Sequence, residues 1–298
     1  MRPVIVNAGG GTNFVGLMVR AVRLGLRVDH LLFADTGGEM RETYSHLWDF
    51  SEWLERHGMP GIEIVTETRH GKPITLEEHA LRTKRMPSKA YGRKSCSMKF
   101  KRDPIEKWIR AEYPEGQVVR IFGFDADEPQ RARMPESERF LWSYPLIDWG
   151  MGREECIEEI VWAGLPLPGK SACFFCPSAR PAEVADLAVS DPDLFARGMA
   201  MEANARPFSG AVKGLGSNYS WESVDRAVRL QVVMPEAPRV HEDCGCYDGA
   251  RQADTILAPD YCGNFAGSVV RGDGGEWPLA RDWAHSNGPA WKQGGMFG

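Results

Sequence analysis

The feature that most constrains this fold is an apolar run that ends in three consecutive glycines and continues into an apolar-periodic segment. The run is Val4 to Ala8, the glycines are residues 9–11, and the periodic segment extends from Val15 to Leu26. A buried strand, a glycine turn and a helix start are a common anion site, because the glycine backbone and the helix N–H groups can approach an oxyanion. The same loop also suits a tight connection without a ligand, so the motif alone leaves both interpretations open.

Strand-like and helix-like segments alternate through the first half of the chain. The pattern predicts strands at 3–8, 29–35, 62–68 and 117–124, and helices at 14–26, 41–57, 103–112 and 152–163. This alternation predicts an α/β fold with a doubly wound, mostly parallel sheet, whose site lies outside the carboxyl ends of the strands. The glycine turn and Asp35-Thr36 both follow predicted strands, and this agreement favours a binding site over a simple connection.

The chain divides into three predicted parts. Residues 1–165 form the α/β nucleotide-binding domain, residues 166–249 form a helical region that contains cysteines, and residues 250–298 form a glycine-rich irregular tail. Two short helices are expected over 181–206 and another over 221–233. The tail shows no periodicity that predicts regular structure.

Composition narrows the function classes. The net charge of the 298 residues is -5, which argues against general coating of nucleic acid but allows a local basic patch. Because no run approaches the length of a membrane span and the chain enters its first strand at once, we expect a cytoplasmic protein with no membrane contact. Seven cysteines in such a chain favour metal or redox chemistry over a disulfide framework.

A basic segment surrounds the first cysteine. Residues 82–102 contain nine Lys or Arg and no acidic residue, and they include Cys96. We interpret the segment as a flexible loop that closes on a phosphorylated or sulfated ligand through Arg93, Lys94 and Lys99; a solvated basic face is the alternative.

A C-x2-C motif is the sharpest local signal after the glycine turn. Cys173 and Cys176 precede Pro177 on a loop before a helix, which suits thiolate ligation of zinc or iron. A redox pair and ordinary packing remain alternatives. By contrast, Cys156 lies inside an amphipathic helix and is predicted to be a packed residue.

Together these motifs resemble the phosphoadenosine phosphosulfate reductase family of the PP-loop superfamily, and in particular its phage-type members. The similarity covers roughly residues 3 to 249. Residues 9–14 resemble the family's S-G-G-x-D-S loop, and residues 35–44 resemble its D-T-G-x-x-x-x-E-T-Y motif. Residues 123–131 are similar to the family's glycine strand end with a downstream arginine, and residues 145–149 to its P-L-x-x-W run.

The resemblance implies an adenine nucleotide, either ATP or an adenylyl sulfate, with its base near Asp35-Thr36. The implied nucleotide- and phosphate-binding residues are Gly9, Gly10, Gly11, Thr12, Asn13, Asp35, Thr36, Gly123 and Arg131. It also implies a [4Fe-4S] cluster on Cys96, Cys173 and Cys176, with zinc as the alternative metal. The fourth ligand is left among Cys244, Cys246 and Cys262.

The catalytic cysteine of the family lies in a C-terminal E-C-G-x-H motif, which Asp243-Cys244-Gly245-Cys246 resembles, so Cys244 and Cys246 are the candidate catalytic residues. Three departures from the family pattern matter. Asn13 and Phe14 replace the loop's aspartate and final serine, so that phosphate binding rests more on backbone N–H groups. A single cysteine, Cys96, stands where cluster enzymes have two, and Asp125 stands where the reductases usually carry arginine.

Three functions follow from this comparison. The first is thiol-dependent reduction of an adenylyl-sulfate nucleotide to sulfite, with a thioredoxin-like reductant as partner. The second is an ATP-dependent sulfurtransferase that thiolates DNA or tRNA with the help of an iron–sulfur cluster. The third is a non-catalytic protein that binds a nucleotide or nucleic acid. The oligomeric state stays open, a homodimer included.

Overall fold

A computed structural model describes residues 1–87, 95–132, 137–210, 212–216, 218–232 and 277. Its centre is a five-stranded parallel sheet made of β1 (Val4–Ala8), β2 (His30–Asp35), β3 (Ile62–Thr66), β6 (Val118–Ile121) and β7 (Phe140–Ser143). The strands lie in the order β3-β2-β1-β6-β7. A small antiparallel hairpin, β4 (Thr68–Arg69) and β5 (Lys72–Pro73), follows β3. The predicted α/β class with a parallel sheet is confirmed.

Ten helical segments surround or extend the sheet in the part of the chain that the structure describes. They are α1 (Thr12–Arg23), α2 (Arg41–Arg56), α3 (Leu76–Thr83), α4 (Ser95–Ser97), α5 (Asp103–Glu112), α6 (Pro145–Asp148), α7 (Arg153–Trp162), α8 (Pro181–Ser190), α9 (Pro192–Ala205) and α10 (Trp221–Arg229). A π-helical turn, Met98–Arg102, joins α4 to α5, and short 3-10 turns occupy Pro129–Arg131 and Arg206–Phe208.

Strand β1 is central because β2 pairs on one side of it and β6 on the other, both in parallel. From β1 the chain winds outward to β2 and β3, and then returns to the opposite side for β6 and β7. The strand order therefore reverses between β1 and β6. Open parallel sheets bind ligands beyond the carboxyl ends of the strands at such a reversal.

Alternate residues of the central strands face two different cores. Val4 and Val6 of β1 pack in one core with α1 and α7, whereas Ile5 packs in another with Ile105 and Ile109 of α5. Burial on both faces explains why these strands are almost continuously apolar.

The C-terminal helices form a third core. Helices α8, α9 and α10 pack around the fully buried Trp221, and Phe174 and Phe175 of the cysteine loop belong to the same core. Helix α3 contributes Leu76 and Ala80 from the first half of the chain. The expected helical region with cysteines is therefore packed against the sheet domain through both the cysteine loop and α3.

Several local predictions need correction. The segment 82–102 is not a continuous loop, because residues 95–102 are helical and lead directly into α5. Strand β7, helix α3 and the hairpin were not predicted, since each is too short to establish a periodic pattern. Of the expected tail, only Trp277 is described: its indole N–H donates to the Arg27 carbonyl at 2.6 Å. No helix in the described residues has the length and apolarity needed to cross a membrane.

Candidate functional site

A cavity of about 330 Å³ lies where the sheet order reverses. Its walls include the glycine loop after β1 and residues 122–124 after β6, together with the π-helical turn on the α5 side. The cavity thus occupies the position that the parallel topology predicts for a ligand.

The glycine loop presents backbone rather than side chains to this cavity. Gly10 has a positive φ of 64°, and a Cβ there would lie 3.1 Å from the Thr43 methyl group. Gly11 is the N-cap of α1 and provides no side-chain cap, and the first turn of the helix contains no acidic residue. The N-terminal N–H groups and the helix dipole are therefore suited to an anion.

Phe14 does not obstruct the loop, although it replaces the serine of the family pattern. Its side chain is 4% exposed and packs edge-on against Phe50, with ring centroids 5.8 Å apart. Phe14 is therefore a core residue of α1.

Six cationic side chains line the cavity, and no Asp or Glu is among the described lining residues. They are Lys101, Arg102, Arg120, Arg131, Arg153 and Lys170. Carboxylates outside the lining hold several of them: Lys170 binds Glu183 at 2.8 Å, and Arg131 binds Glu128 at 2.6 Å. A concave site in which every charged lining residue is positive is suited to phosphate or sulfate groups.

Arg120 is the most unusual of these cations. It is 1% exposed on the central strand β6, and its NH1 and NH2 lie 3.3 Å from Glu106 Oε1 and 3.4 Å from Asn7 Oδ1. Burial lowers the pKa of Arg120 to about 10, opposed by the charge of Glu106. Its Nε is buried and has no hydrogen-bond partner among the described residues.

Asn13 pairs with a buried acid beside the glycine loop. Its Nδ2 donates to Asp125 Oδ2 at 2.7 Å, and Asp125 is fully buried. Burial raises the pKa of Asp125, while the hydrogen bond from Asn13 opposes the shift. The Oδ1 atoms of Asn13 and Asp125 are buried without hydrogen-bond partners in the described chain. Asp125 therefore positions Asn13, which lines the cavity.

The cysteine loop is attached to both strand-end loops. Cys173 forms an isolated antiparallel bridge with Glu39, and the Phe174 N–H donates to the Gly38 carbonyl at 2.8 Å. The Ser171 hydroxyl donates to the Gly9 carbonyl at 2.5 Å. These contacts place the C-x2-C motif next to the rim of the cavity, although the motif is far from the glycine loop in the sequence.

The three described candidate ligands are near one another. The Cys176 N–H donates to the Cys173 carbonyl at 2.9 Å, which closes a tight turn between the two cysteines. Burial raises the pKa of the Cys96 thiol, and the nearby Cys176 raises it further. Burial likewise raises the pKa of Cys173, next to Glu39. Among the described residues, no three His, Cys, Asp or Glu side chains form a group that could hold a metal ion.

The residues predicted to bind the nucleotide differ in whether they line the cavity. Six of them line the cavity: Gly9, Gly11, Thr12, Asn13, Gly123 and Arg131. Four do not line it: Gly10, Asp35, Thr36 and Lys99. Arg93, Lys94, Cys244, Cys246 and Cys262 lie outside the described residues.

The residues that miss the cavity have other contacts. Asp35 Oδ1 accepts hydrogen bonds from the Gly37 N–H and the Tyr44 hydroxyl, both at 2.7 Å. Thr36 Oγ1 lies 3.1 Å from Cys173 Sγ. Asp35 therefore links the turn after β2 to helix α2, whereas Thr36 contacts the cysteine motif. Lys99 Nζ lies 3.3 Å from His79 Nε2. Of the two lysines in the π-helical turn, Lys101 lines the cavity and Lys99 does not.

Sequence analysis missed most of the cavity cations. Arg120 lies inside an apolar strand, and Arg153 and Lys170 lie in segments without a recognised motif. The one available signal was Lys101 and Arg102 in the basic segment. Cys156 was correctly assigned to the core: it is fully buried, and burial raises its pKa to about 12.

No family model matches this chain, and no curated protein matches it significantly. The contacts and charges of the cavity therefore provide the basis for a functional proposal.

Proposed function

We propose that this chain binds an adenylyl-sulfate nucleotide in the cavity and reduces its sulfate group to sulfite with thiols. The observation that carries the proposal is the cavity wall, which combines a helix N-terminus and six cations with no described carboxylate. The cysteine loop hydrogen-bonded to the same glycine loop is its second support.

Nucleotide binding follows from the chemistry of this wall. The backbone N–H groups of residues 11–13 would bind one phosphate, because they lie at the start of α1. Arg131 and Lys170 line the same cavity and would neutralise the charge of this phosphate. Phe122 and Phe124 also line the cavity and would add apolar surface next to a base.

The proposed reaction reduces sulfur(VI) to sulfur(IV), and two thiols are its reductant. A cysteine thiolate attacks the sulfur of the adenylyl sulfate, the sulfur–oxygen bond to the phosphate breaks, and the nucleotide phosphate leaves with the electron pair. The product is an S-sulfocysteine. A second thiol, from a thioredoxin-like partner, then attacks the cysteine Sγ, which forms a disulfide and releases sulfite. Two thiols are oxidised while sulfur(VI) becomes sulfur(IV).

Cys244 is the proposed nucleophile, with Cys246 as the alternative; both lie outside the described residues. The surrounding cations would favour a thiolate in such a cavity.

We also propose a [4Fe-4S] cluster on Cys96, Cys173 and Cys176, with zinc as the alternative. In addition to burial, the charge of Cys176 raises the pKa of both Cys96 and Cys173, which supports the assignment, and Cys244, Cys246 or Cys262 would complete the ligand set. When bound, such a cluster would supply an iron–thiolate centre next to the anion cavity. The tight turn from Cys173 to Cys176 would orient two of its ligands.

The first test combines metal analysis with a sulfite assay on anaerobically purified protein. We expect sulfite release from adenylyl sulfate, or from its 3′-phosphorylated form, only when a dithiol is present. The Cys244→Ser variant should release none, whereas Cys156→Ser, which alters a core thiol, should retain the chemistry if it folds. Sulfite formation by Cys244→Ser at the parental rate would refute this nucleophile.

A second candidate is the ATP-dependent sulfurtransferase acting on DNA or tRNA. The buried Asp125 favours it, because a carboxylate stands where the reductases usually carry arginine. This candidate predicts cleavage of ATP and no sulfite release. Exchange of labelled pyrophosphate into ATP would favour it over reduction, and tight nucleotide binding without either reaction would favour the non-catalytic alternative.

A further inference from the structure

We propose that Arg120 is the receptor for a second anionic group of the ligand, a phosphate or sulfate distinct from the group on the glycine loop. This inference rests on the proposed function, since it requires an anionic ligand in the same cavity. It adds a specificity-determining residue that neither the motifs nor the strand pattern indicate.

The position of Arg120 fits two separate anion subsites. Arg120 pairs in register with Ile5 of β1, and its NH2 lies 3.4 Å from Asn7 Oδ1. Asn7 belongs to β1, whereas the N–H groups proposed for the first phosphate lie beyond the end of this strand, at residues 11–13, so the two subsites are separate positions on the cavity wall. Both Asn7 and Arg120 line the cavity on the α5 side of the sheet.

The present contacts leave the guanidinium poorly satisfied. A guanidinium has five N–H donors, and charge-assisted bonds to carboxylates are ordinarily about 2.7–2.9 Å long. Here the Glu106 contact is 3.3 Å, the Asn7 contact is 3.4 Å, and the buried Nε has no described partner. An oxyanion could form the bidentate bonds that Glu106 does not provide.

Aromatic rings hold the guanidinium in this position. The Arg120 Cζ lies 5.1 Å from the ring centroids of Phe122 and Phe140, and 5.4 Å from that of Trp142. Such rings attract a cation without occupying its hydrogen-bond donors. Arg120 is therefore oriented for an incoming anion while its donors remain available.

A variant of Glu106 can distinguish a ligand-binding role of Arg120 from a purely structural one. The Glu106 side chain is 25% exposed, and its Oε1 lies 3.3 Å from Arg120 NH1. If Arg120 receives a ligand anion, Glu106 competes with that anion, and its neutralisation should strengthen binding. If the pair is only structural, Glu106→Gln should lower stability and leave affinity unchanged.

The experiment measures Kd by calorimetry for the parent protein and for Arg120→Lys, Arg120→Met and Glu106→Gln. The probes are AMP, ADP, adenosine 3′,5′-bisphosphate, inorganic phosphate and pyrophosphate. ADP and adenosine 3′,5′-bisphosphate carry two phosphate groups. We expect at least one of them to bind the parent about tenfold or more tightly than AMP, as a charge-assisted contact implies. We also measure AMP binding in the presence of free inorganic phosphate. This measurement shows whether Arg120 binds an independent phosphate ion as well as a second phosphate group on the same nucleotide.

Arg120→Met should remove the advantage of the second group while AMP affinity changes little. Arg120→Lys should retain part of it, because lysine keeps the charge but loses the bidentate geometry. Glu106→Gln should increase the advantage severalfold. Thermal unfolding shows whether each variant folds. If Arg120→Met does not fold, the affinities of Glu106→Gln provide the test.

Equal loss of AMP and bisphosphate affinity in Arg120→Met, or unchanged affinity in Glu106→Gln, would overturn the assignment. If no adenine nucleotide binds but pyrophosphate loses its advantage over phosphate in Arg120→Met, the proposed function fails and the Arg120 receptor stands. If none of the probes binds the parent, both proposals are refuted.

Discussion

The two faces of the central sheet differ although they share the same strands. Val119 and Arg120 are neighbours in β6 and are both buried. Val119 belongs to the apolar core with α1 and α7, whereas Arg120 points to the α5 side and lines the cavity. Both faces are buried in apolar cores, but the α5 face also carries the buried charge of Arg120, which stability alone does not require.

The α1 face also shows closer packing. A Cβ on Gly16 of α1 would lie 2.7 Å from Cys156 Cβ and 2.8 Å from Cys156 Cα in α7. The α5 face, in contrast, leaves a cavity beneath its helical turn. Tight packing and ligand space are thus divided between the faces.

The largest expected effect comes from moving a charge to the apolar face. Val119→Asp should cost about 3–5 kcal/mol of unfolding free energy, because its carboxylate would be buried without a partner. Arg120→Met should cost less, about 1–2 kcal/mol, because it removes a poorly paired charge and leaves Glu106 partly solvated. Urea unfolding of both variants provides the measurement. The comparison of faces fails if Arg120→Met is the more destabilising of the two.

The next effect tests the packing of α1 against α7. Gly16→Ala should destabilise the protein, since overpacking costs about 1–3 kcal/mol and exceeds the roughly 1 kcal/mol that alanine adds in helix propensity. Gly169→Ala is the matched control, because nothing lies within 4 Å of a Cβ at that position. Thermal melts should separate the two variants, and equal melting temperatures would contradict the close packing.

A smaller effect tests the link between the cysteine loop and the glycine loop. Ser171→Ala removes the hydrogen bond to the Gly9 carbonyl and should cost about 1 kcal/mol. Ser209→Ala removes a similar hydroxyl bond, to the Ala205 carbonyl at 2.7 Å, away from the cavity. Both variants should lose stability in chemical denaturation, but only Ser171→Ala should weaken phosphate binding. Identical phosphate affinities in the two variants would show that the link does not support the site.

The smallest effect concerns Asp125 and depends on pH. Because burial raises the pKa of Asp125, the folded state disfavours its charged form. The parent should therefore lose stability relative to Asp125→Asn as pH rises from the ordinary aspartate range through the folded pKa. The variant amide can also donate to the orphaned Asn13 Oδ1, which adds at most about 1 kcal/mol.

Melting temperatures of the two proteins from acidic to mildly alkaline pH provide the measurement. Asp125→Ala, which leaves Asn13 Nδ2 unpaired, should be less stable than both. A stability gap between the parent and Asp125→Asn that stays constant with pH would argue against a titrating Asp125.

Much of the fold follows from local pattern. Strands β1, β2, β3 and β6 were predicted near their observed bounds, as were the helices α2, α5 and α7. Each has a periodicity that reports its burial directly. Strand β7 and helix α3 could not be predicted in this way, because β7 runs almost directly into the apolar residues of α6 and α3 buries only Leu76 and Ala80.

The candidate site was only half accessible from the sequence. Gly9, Gly11 and the C-x2-C motif carry recognisable local patterns, and the fold places them in one region. Arg120 carries no such pattern, since a single arginine in an apolar strand does not reveal which face it occupies or what lies above it. The placement of Asp35 and Thr36 was expected at the ligand, but their side chains contact the loops around the cysteine motif instead.

The sequence by itself determined the alternation of strands and helices, the glycine turn and the pair of cysteines, because backbone preference and hydrophobic periodicity act over neighbouring residues. Only the tertiary structure decided that Asn7, Lys101, Arg120 and Lys170 share one cavity. These residues are far apart in the chain, and the strand order and helix packing that bring them together arise from long-range burial.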